Sequence, residues 1–284
     1  MTADRSPSAP SSQEPSAEDL QESHSGSDQP STYGEILAEQ IWTAVHELER
    51  PTGGLILSGF SAGLDVGFSV FFMAIAFSMF GADFSDVGVR IFAANLYSFG
   101  FILVILGRSE LFTEHTTLAV FPVLNRRATV GQLGRLWGLV YASNLAGGVV
   151  AAIIATQVGS RLGVAETRAF GMIAEHLLRP DGGVTFASGV LAGWLMGLLS
   201  WLLASAKDTM SRIVIVWMIT TGIGLAGLHH CIVGTVEVVA GVLVDPALTW
   251  SQYGGFLLWA TLGNTVGGTL FVAIIKYGHA VKSR

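Results

Sequence analysis

The chain has 284 residues, of which 51% are hydrophobic and 13% charged, with a mean hydropathy of +0.56. Soluble domains carry about a quarter charged residues, so this composition excludes a water-soluble globular protein and predicts an integral membrane protein. The charge is also uneven, because residues 1–50 hold ten acidic and two basic side chains whereas residues 51–284 hold eleven and thirteen.

The N-terminal segment, residues 1–33, is rich in Ser, Pro, Glu and Gln and has almost no large apolar side chain. It cannot bury enough surface to offset its conformational entropy, which predicts a disordered acidic tail. It lacks the features of a signal peptide, so we expect the first span to direct insertion. Residues 34–50 are predicted to form an amphipathic helix on the cytoplasmic face, because these apolar residues recur at helical spacing: Ile36, Leu37, Ile41, Ala44 and Leu48.

Residues 51–280 form the predicted transmembrane domain, followed by a short tail at 281–284. A bilayer core needs about 20 apolar residues per helix. Six stretches qualify, at about 54–80, 87–124, 131–159, 184–206, 212–244 and 253–277. The second and fifth exceed one crossing and are interrupted by polar residues, which predicts broken helices at 108–113 and 228–231.

Basic residues predict the orientation of the spans. They cluster in the connections at 125–135 and 207–212 and at the C-terminus. The positive-inside rule places these segments, and with six spans both termini, in the cytoplasm. Three arginines in the 160–183 loop are an exception to this pattern.

The two halves of the domain repeat. Five small or polar residues recur at an offset of 130: Ser58, Gly59, Ala62, Gly63 and Gly67, then Ser188, Gly189, Ala192, Gly193 and Gly197. The motif Asn144-x-x-Gly147-Gly148 recurs at Asn264 at an offset of 120. Three spans per repeat require an inverted topology, in which the breaks meet near the membrane midplane. Broken backbone at that depth is tolerated where it lines a cavity or is buried in protein.

The residues at the two breaks resemble a known family. They read Gly107-Arg108-Ser109-Glu110-Leu111-Phe112-Thr113 and Gly227-Leu228-His229-His230-Cys231-Ile232. The chain resembles the formate/nitrite transporter family over about residues 35–278, and Glu110 to Thr113 match its acidic-Leu-Phe-Thr loop. The resemblance implies an all-α, aquaporin-like protomer in a homopentamer, with one anion pathway per subunit. It also implies a multi-pass protein of the lipid bilayer of a bacterial inner membrane, with no nucleic-acid partner.

The resemblance further implies a substrate pathway. The central His230 would face Thr113 across a narrow vestibule. Apolar constrictions would lie near Phe101 and Ile223 outside, with Tyr97 close by, and near Leu111 and Gly147 inside. Phe112 and Glu110 complete the loop motif and are candidate pathway residues.

Proton chemistry gives His230 a physical reason to be there. Desolvating an anion at an apolar constriction costs many kcal/mol. An imidazole, with an ordinary pKa of about 6.5, can share or donate a proton to a weak-acid anion. The other interpretation of His230 is a packed histidine bonded to a backbone carbonyl.

Two residues depart from the family pattern. His229 stands where the family has an acidic residue that orients the central His, and two adjacent buried imidazoles favour each other's neutral forms. Arg108 replaces a small residue, and it either attracts anions or pairs with Glu110 or Glu114.

Other polar residues within the spans have less specific interpretations. Asn144 and Asn264 either bind substrate or satisfy backbone groups freed at the breaks, and we favour the structural role. Asp65 and Glu237 are further intramembrane acids, which are costly unless they are paired or face water.

Three competing functions follow from the same sequence. One is a pore for water or a neutral small solute, and another is a membrane receptor that signals through the acidic tail. An intramembrane enzyme is not expected, because His115, Glu114 and the two break histidines form no HExxH or GxSxG motif. Cys231 is the single cysteine, so neither a Cys-based zinc cluster nor an intrachain disulfide can form, and no cofactor or metal is expected.

Overall fold

A computed structural model describes residues 31–282, and these residues are helical almost throughout. The acidic tail predicted to be disordered, residues 1–33, lies outside the described residues except for its last three, of which Tyr33 already belongs to the first helix. The helices are α1 Tyr33–Glu49, α2 Thr52–Asp65, α3 Gly67–Phe80, α4 Val87–Leu106, α5 Phe112–Leu118, α6 Val120–Leu124, α7 Val130–Leu162, α8 Thr167–Leu178, α9 Gly182–Ser205, α10 Thr209–Ala226, α11 Cys231–Val244, α12 Trp250–Val266 and α13 Ile275–Lys282. A π-helical segment, Gly267–Ile274, joins α12 to α13.

Six stretches of the described chain are long and apolar enough to cross a membrane. They are Thr52–Phe80, Val87–Leu106, Val130–Leu162, Gly182–Ser205, Thr209–Ala226 and Trp250–Lys282. The prediction of six spans, with broken second and fifth helices, is confirmed. Both breaks begin one residue earlier than predicted, because α4 ends at Leu106 and α10 at Ala226. The first is one residue shorter than predicted, and the second has the predicted length.

Polar caps set the start of matching helices in the two halves. Thr129 and Thr249 each form a capping box, with Gln132 and Gln252, at the starts of α7 and α12. Asp86 accepts from the Val89 amide at the start of α4, and Asp208 accepts from the Ser211 amide at the start of α10. Each cap satisfies free amide groups at a helix start, so these ends suit the polar margins of a membrane.

Glycines bring the first and third spans of each half into backbone contact. Helix α2 packs along α7, and α9 packs along α12. A Cβ atom on Gly63 would lie 2.2 Å from the carbonyl oxygen of Asn144, and one on Gly193 would lie 2.1 Å from that of Asn264. Only glycine fits at either contact, so the repeated glycines set the spacing of both helix pairs.

Helix α1 is fixed to the transmembrane domain. Its buried side chains include the apolar positions that the helical spacing picked out. Arg135 of α7 donates hydrogen bonds to the Arg50 carbonyl oxygen (3.1 Å) and to Thr52 Oγ1 (2.9 Å). Gln40 donates from Nε2 to the carbonyl oxygen of Ser200 in α9 (3.1 Å). The helix therefore contacts both halves of the domain.

Three features were not predicted. The first span bends at Val66, between α2 and α3. The 160–183 connection contains α8, which packs along α11. The π-helical segment lies beside α5, where Thr117 Oγ1 donates to the Gly268 carbonyl oxygen (2.9 Å). π-Helical segments often occur near functional sites, and this one packs against the helix that follows the first break.

Candidate functional site

The first break covers residues 107–111, between α4 and α5. Arg108 adopts a left-handed conformation (φ 55°), which turns the chain out of α4. The amide of Ser109 then donates to the carbonyl oxygen of Val104 (3.0 Å). This is a Schellman-type helix end, which satisfies carbonyl groups that the helix leaves free.

The second break, residues 227–230, repeats this geometry 119 positions later. Gly227 is left-handed (φ 61°), and the amide of Leu228 donates to the carbonyl oxygen of Ile223 (3.0 Å). Arg108 and Gly227 therefore occupy equivalent positions, as do Leu111 and His230.

Two equivalent asparagines connect the irregular backbone of the breaks to the neighbouring helices. Asn144 accepts from the Phe112 amide (2.8 Å) and donates to the carbonyl oxygens of Gly59 (2.7 Å) and Glu110 (2.8 Å). Its side chain is fully buried. These bonds satisfy backbone groups freed by the break, which is the structural role favoured from the sequence.

Asn264 makes the matching set at the second break. It accepts from the Cys231 amide (2.8 Å) and donates to the carbonyl oxygens of Gly189 (2.9 Å) and His229 (2.8 Å). Both amide hydrogens and the carbonyl oxygen are thereby used in the protein, which leaves this side chain little capacity to bind a solute.

His230 and Thr113 meet where the two breaks face each other. His230 Nε2 lies 2.8 Å from Thr113 Oγ1, and both residues are buried. The amide of Val233 donates to His230 Nδ1 (3.3 Å), so the proton of the neutral ring lies on Nε2 and is donated to Thr113. The motif had suggested that Thr113 lies in a loop, but it is the second residue of α5.

Large apolar side chains surround this pair. The Phe101 ring stands edge-on to the His230 ring with centroids 5.2 Å apart, and the Tyr97 ring lies 5.4 Å beyond Phe101. Ile223 and Leu111 are fully buried. Phe112 packs on Tyr141 of α7, with ring centroids 4.8 Å apart. The His230 imidazole therefore lies in an apolar environment, in which these side chains offer it no further hydrogen-bond partner.

Gly147, the predicted inner constriction, lies in a helix contact. A Cβ atom there would lie 2.2 Å from the carbonyl oxygen of Phe60 in α2. Its equivalent, Gly267, has the same relation to the carbonyl oxygen of Val190 (2.1 Å). The contact thus gives Gly147 a role in packing α7 against α2. Its part in an inner constriction stays a prediction.

His229 faces away from His230 and is held at both ring nitrogens. Its Nδ1 lies 2.8 Å from Ser188 Oγ, and its Nε2 lies 2.9 Å from the carbonyl oxygen of Leu177 in α8. A carbonyl oxygen only accepts, so Nε2 carries the proton and Ser188 donates to Nδ1. The Ser188 hydroxyl also accepts from the His229 amide (3.1 Å).

Glu110 is the centre of a charged cluster at the first break. Its carboxylate pairs with Arg50 Nη1 (2.5 Å) and contacts His115 Nε2, while Arg50 also pairs with Glu47 (2.7 Å). Burial, and next the charge of Glu110, raise the pKa of the Glu47 carboxyl above its ordinary value. The predicted ion pair between Arg108 and Glu110 is therefore wrong, because the cationic partner of Glu110 is Arg50. Arg108 is exposed and forms no ion pair within residues 31–282.

Several residues of the site were missed from the sequence. Ser188 was noted as a repeat residue, but its contact with His229 was not predicted. Leu177 was missed because α8 was assigned to a loop, although apolar residues recur there at helical spacing: Ala169, Phe170, Ile173, Ala174 and Leu177. Arg50 gave no local signal, because its partner Glu110 lies 60 residues away.

The comparisons with known proteins agree on one family. A family model described as formate/nitrite transporter matches residues 34–278. The inner membrane protein YfdC of Escherichia coli (strain K12) is 34% identical over 238 residues, which cover 82% of this chain and 74% of that protein.

Two solved structures share the fold. One, titled an FNT family ion channel, has a TM-score of 0.77 and 22% identity, and the match covers 86% of this chain and 98% of that one. The other, titled a pentameric formate channel with formate bound, has a TM-score of 0.67 and 23% identity, with 82% and 98% covered. At these identities the likeness supports the aquaporin-like protomer fold.

Proposed function

Because the chain belongs to the formate/nitrite transporter family, we propose that it carries small monovalent anions of weak acids, such as formate or nitrite, across a membrane. Family membership makes the chain a transport protein and not an enzyme. The remaining expectations, a homopentamer in a bacterial inner membrane with both termini in the cytoplasm, belong to the same proposal. The pentameric assembly of a channel with the same fold supports the first of them.

The hydrogen bond between His230 and Thr113 is the observation that carries the proposal. It lies where the two helix breaks face each other, beside the buried rings of Phe101 and Tyr97. An anion loses most of its hydration among such side chains, at a cost of many kcal/mol. A proton shared from the imidazole would remove the charge as the solute passes.

The surroundings of His229 support a difference from the usual mechanism of the family. An acidic neighbour is replaced by an imidazole that is held by Ser188 and by the Leu177 carbonyl oxygen. His230 therefore has no carboxylate next to it in the chain to stabilise its cationic form. A neutral imidazole donates a hydrogen bond but is too weak an acid to give up its ring proton, so we expect the proton that the solute takes up to come from another acid.

Transport by the purified protein in proteoliposomes tests the proposal. Stopped-flow uptake of formate, nitrite, hydrosulfide, acetate and lactate should show fast entry of the smaller anions, and an internal pH dye should record the accompanying protons. Osmotic water entry and glycerol entry serve as controls. Fast glycerol entry with no anion uptake would instead indicate a neutral-solute pore, and no flux of any of these solutes would favour a receptor.

A further inference from the structure

The carboxyl group of Glu237 lies deep in the transmembrane domain and outside the site described above. It belongs to α11 and is 7% exposed. It follows His230 by seven residues, which is about two helical turns or roughly 10 Å along the axis. The two side chains therefore lie on the same face of the helix end that begins at the second break.

Glu237 has no partner among residues 31–282. It forms no hydrogen bond and no ion pair there, unlike Glu110, which has Arg50 and His115. An ionised carboxylate without a partner is costly at this depth, because the surroundings cannot replace its hydration. The group is therefore expected to hold a proton for most of the time.

The contacts of α11 show which way Glu237 points. Gly148 of α7 faces Thr235 and Val236, and Phe256 of α12 faces Gly234. Glu237 lies on the remaining side of the helix, in line with His230. Tyr97, Phe101 and His230 then follow each other inwards, with ring centroids 5.4 and 5.2 Å apart.

The repeat shows that the fold does not require an acid at this position. The two breaks are related by an offset of 119, so the equivalent of Glu237 in the first half is Leu118, at the end of α5. Leu118 is buried in the same way and is apolar. A leucine therefore packs well at the equivalent position, so packing does not explain why position 237 carries a carboxyl group.

We propose that Glu237, two helical turns from His230 towards the C-terminal end of α11, is a proton-donating group that protonates the weak-acid anion before the solute reaches His230. The proposal rests on the anion transport proposed above. The O–H bond of the carboxylic acid breaks as an O–H bond forms on the anion, which then continues as the neutral acid. The Glu237 carboxylate recovers its proton from water on the outer side.

Other ionisable groups around α11 do not substitute for Glu237. Tyr97 of α4 packs on Phe101, and Tyr253 of α12 contacts Thr235 (3.3 Å). His230 and His229 lie at the foot of α11, about two turns away. The charged residues of α8 and of the adjoining end of α7 are exposed: Arg161, Arg168, Glu175 and Arg179. The half-buried His176 of α8 stacks on Phe84, and Asp245 caps the C-terminal end of α11. Helix α3 carries no charged residue.

Proton-coupled uptake in proteoliposomes tests the role of Glu237. Glu237→Gln keeps the size and hydrogen-bonding groups but has no acidic proton, so formate uptake and the accompanying proton entry should fall by about 100-fold, the usual loss of a general acid. Glu237→Asp should restore part of both. Glu39→Gln, on the exposed surface of α1, is the control and should behave as wild type.

Glu237→Leu copies the first half of the repeat and covers the case in which the glutamine variant does not assemble. It should assemble and show the same loss. Wild-type uptake and wild-type proton entry in either assembled variant would overturn the proposal.

Infrared difference spectroscopy separates this proposal from the transport proposal. Full-length wild type at neutral pH should show a carboxylic-acid C=O band that is missing in Glu237→Gln. If the wild type carries no weak acid, the transport proposal fails while this band still reports the state of Glu237. A spectrum with no such band would mean an ionised Glu237 and would overturn the inference.

Discussion

At residues 107–111 and 227–230 the chain leaves one helix and enters another through the same left-handed turn. An asparagine with three hydrogen bonds and a serine that accepts from a backbone amide support each break. The chemistry at the two breaks differs. The first carries the ionised group of Glu110 with Arg50, and the second carries two imidazoles.

This difference separates what the fold needs from what transport needs. Turn conformation, serine and asparagine are common to both breaks, so they serve the backbone. The side chains that differ, Leu111 against His230 and Glu110 against His229, are free to serve function. Changes at shared positions should therefore affect folding in both halves, whereas changes at the differing positions should affect flux.

The largest effect is expected at the shared asparagines. Asn264→Leu leaves the buried Cys231 amide and the His229 carbonyl oxygen, both freed at the break, without their partner, at about 1–3 kcal/mol for each group. We expect little assembled protein in detergent by size-exclusion chromatography. Asn144→Leu should behave alike, because its bonds match. Assembly of one variant but not the other would show that the two breaks are not equivalent supports.

His230→Phe should abolish transport and spare the fold. Phenylalanine fills a similar apolar space but has no ring N–H to donate to the solute, so formate uptake should fall by about 100-fold. The thermal unfolding midpoint in detergent should stay close to that of wild type. Thr113→Val, which removes the partner hydroxyl, is the matched variant and should reduce uptake less. Unaltered uptake and pH dependence in His230→Phe would leave the histidine with a structural role only.

His229→Glu should shift the pH dependence of uptake and leave its maximum similar. The carboxylate restores the acidic neighbour of the family and favours the protonated form of His230 through its charge. The profile of formate uptake against pH should move upwards. His229→Gln changes the ring to an amide without a charge and serves as control. A similar shift in both variants would assign the effect to the lost contact with Leu177 or Ser188.

The sequence predicted the elements that depend on local patterns. Apolar length predicted the spans, and the repeated Asn144 and Asn264 predicted equivalent supports. Partners that are distant in the chain could not be predicted from the sequence. Glu110 could pair with any nearby cation, and only the fold brings Arg50 to it. The bend at Val66 also escaped prediction, since neither Gly nor Pro marks that residue itself.

The smallest effect concerns the turn residues, which share a conformation but not a residue type. Arg108 is left-handed where its equivalent is Gly227, and this conformation costs a residue with a Cβ about 1 kcal/mol. Arg108→Gly should therefore leave the free energy of unfolding unchanged or raise it by up to about 1 kcal/mol, after the larger entropy of glycine in the unfolded chain. Gly227→Ala should lower it by about 1 kcal/mol. Arg108→Asn tolerates the turn and removes the charge, so it isolates electrostatic attraction: if Arg108 attracts anions, uptake at low salt should fall in both Arg108 variants, and the difference from wild type should shrink at high salt, where the charge of Arg108 is screened. Equal uptake in Arg108→Asn and wild type at low salt would show that this exposed cation has no part in transport.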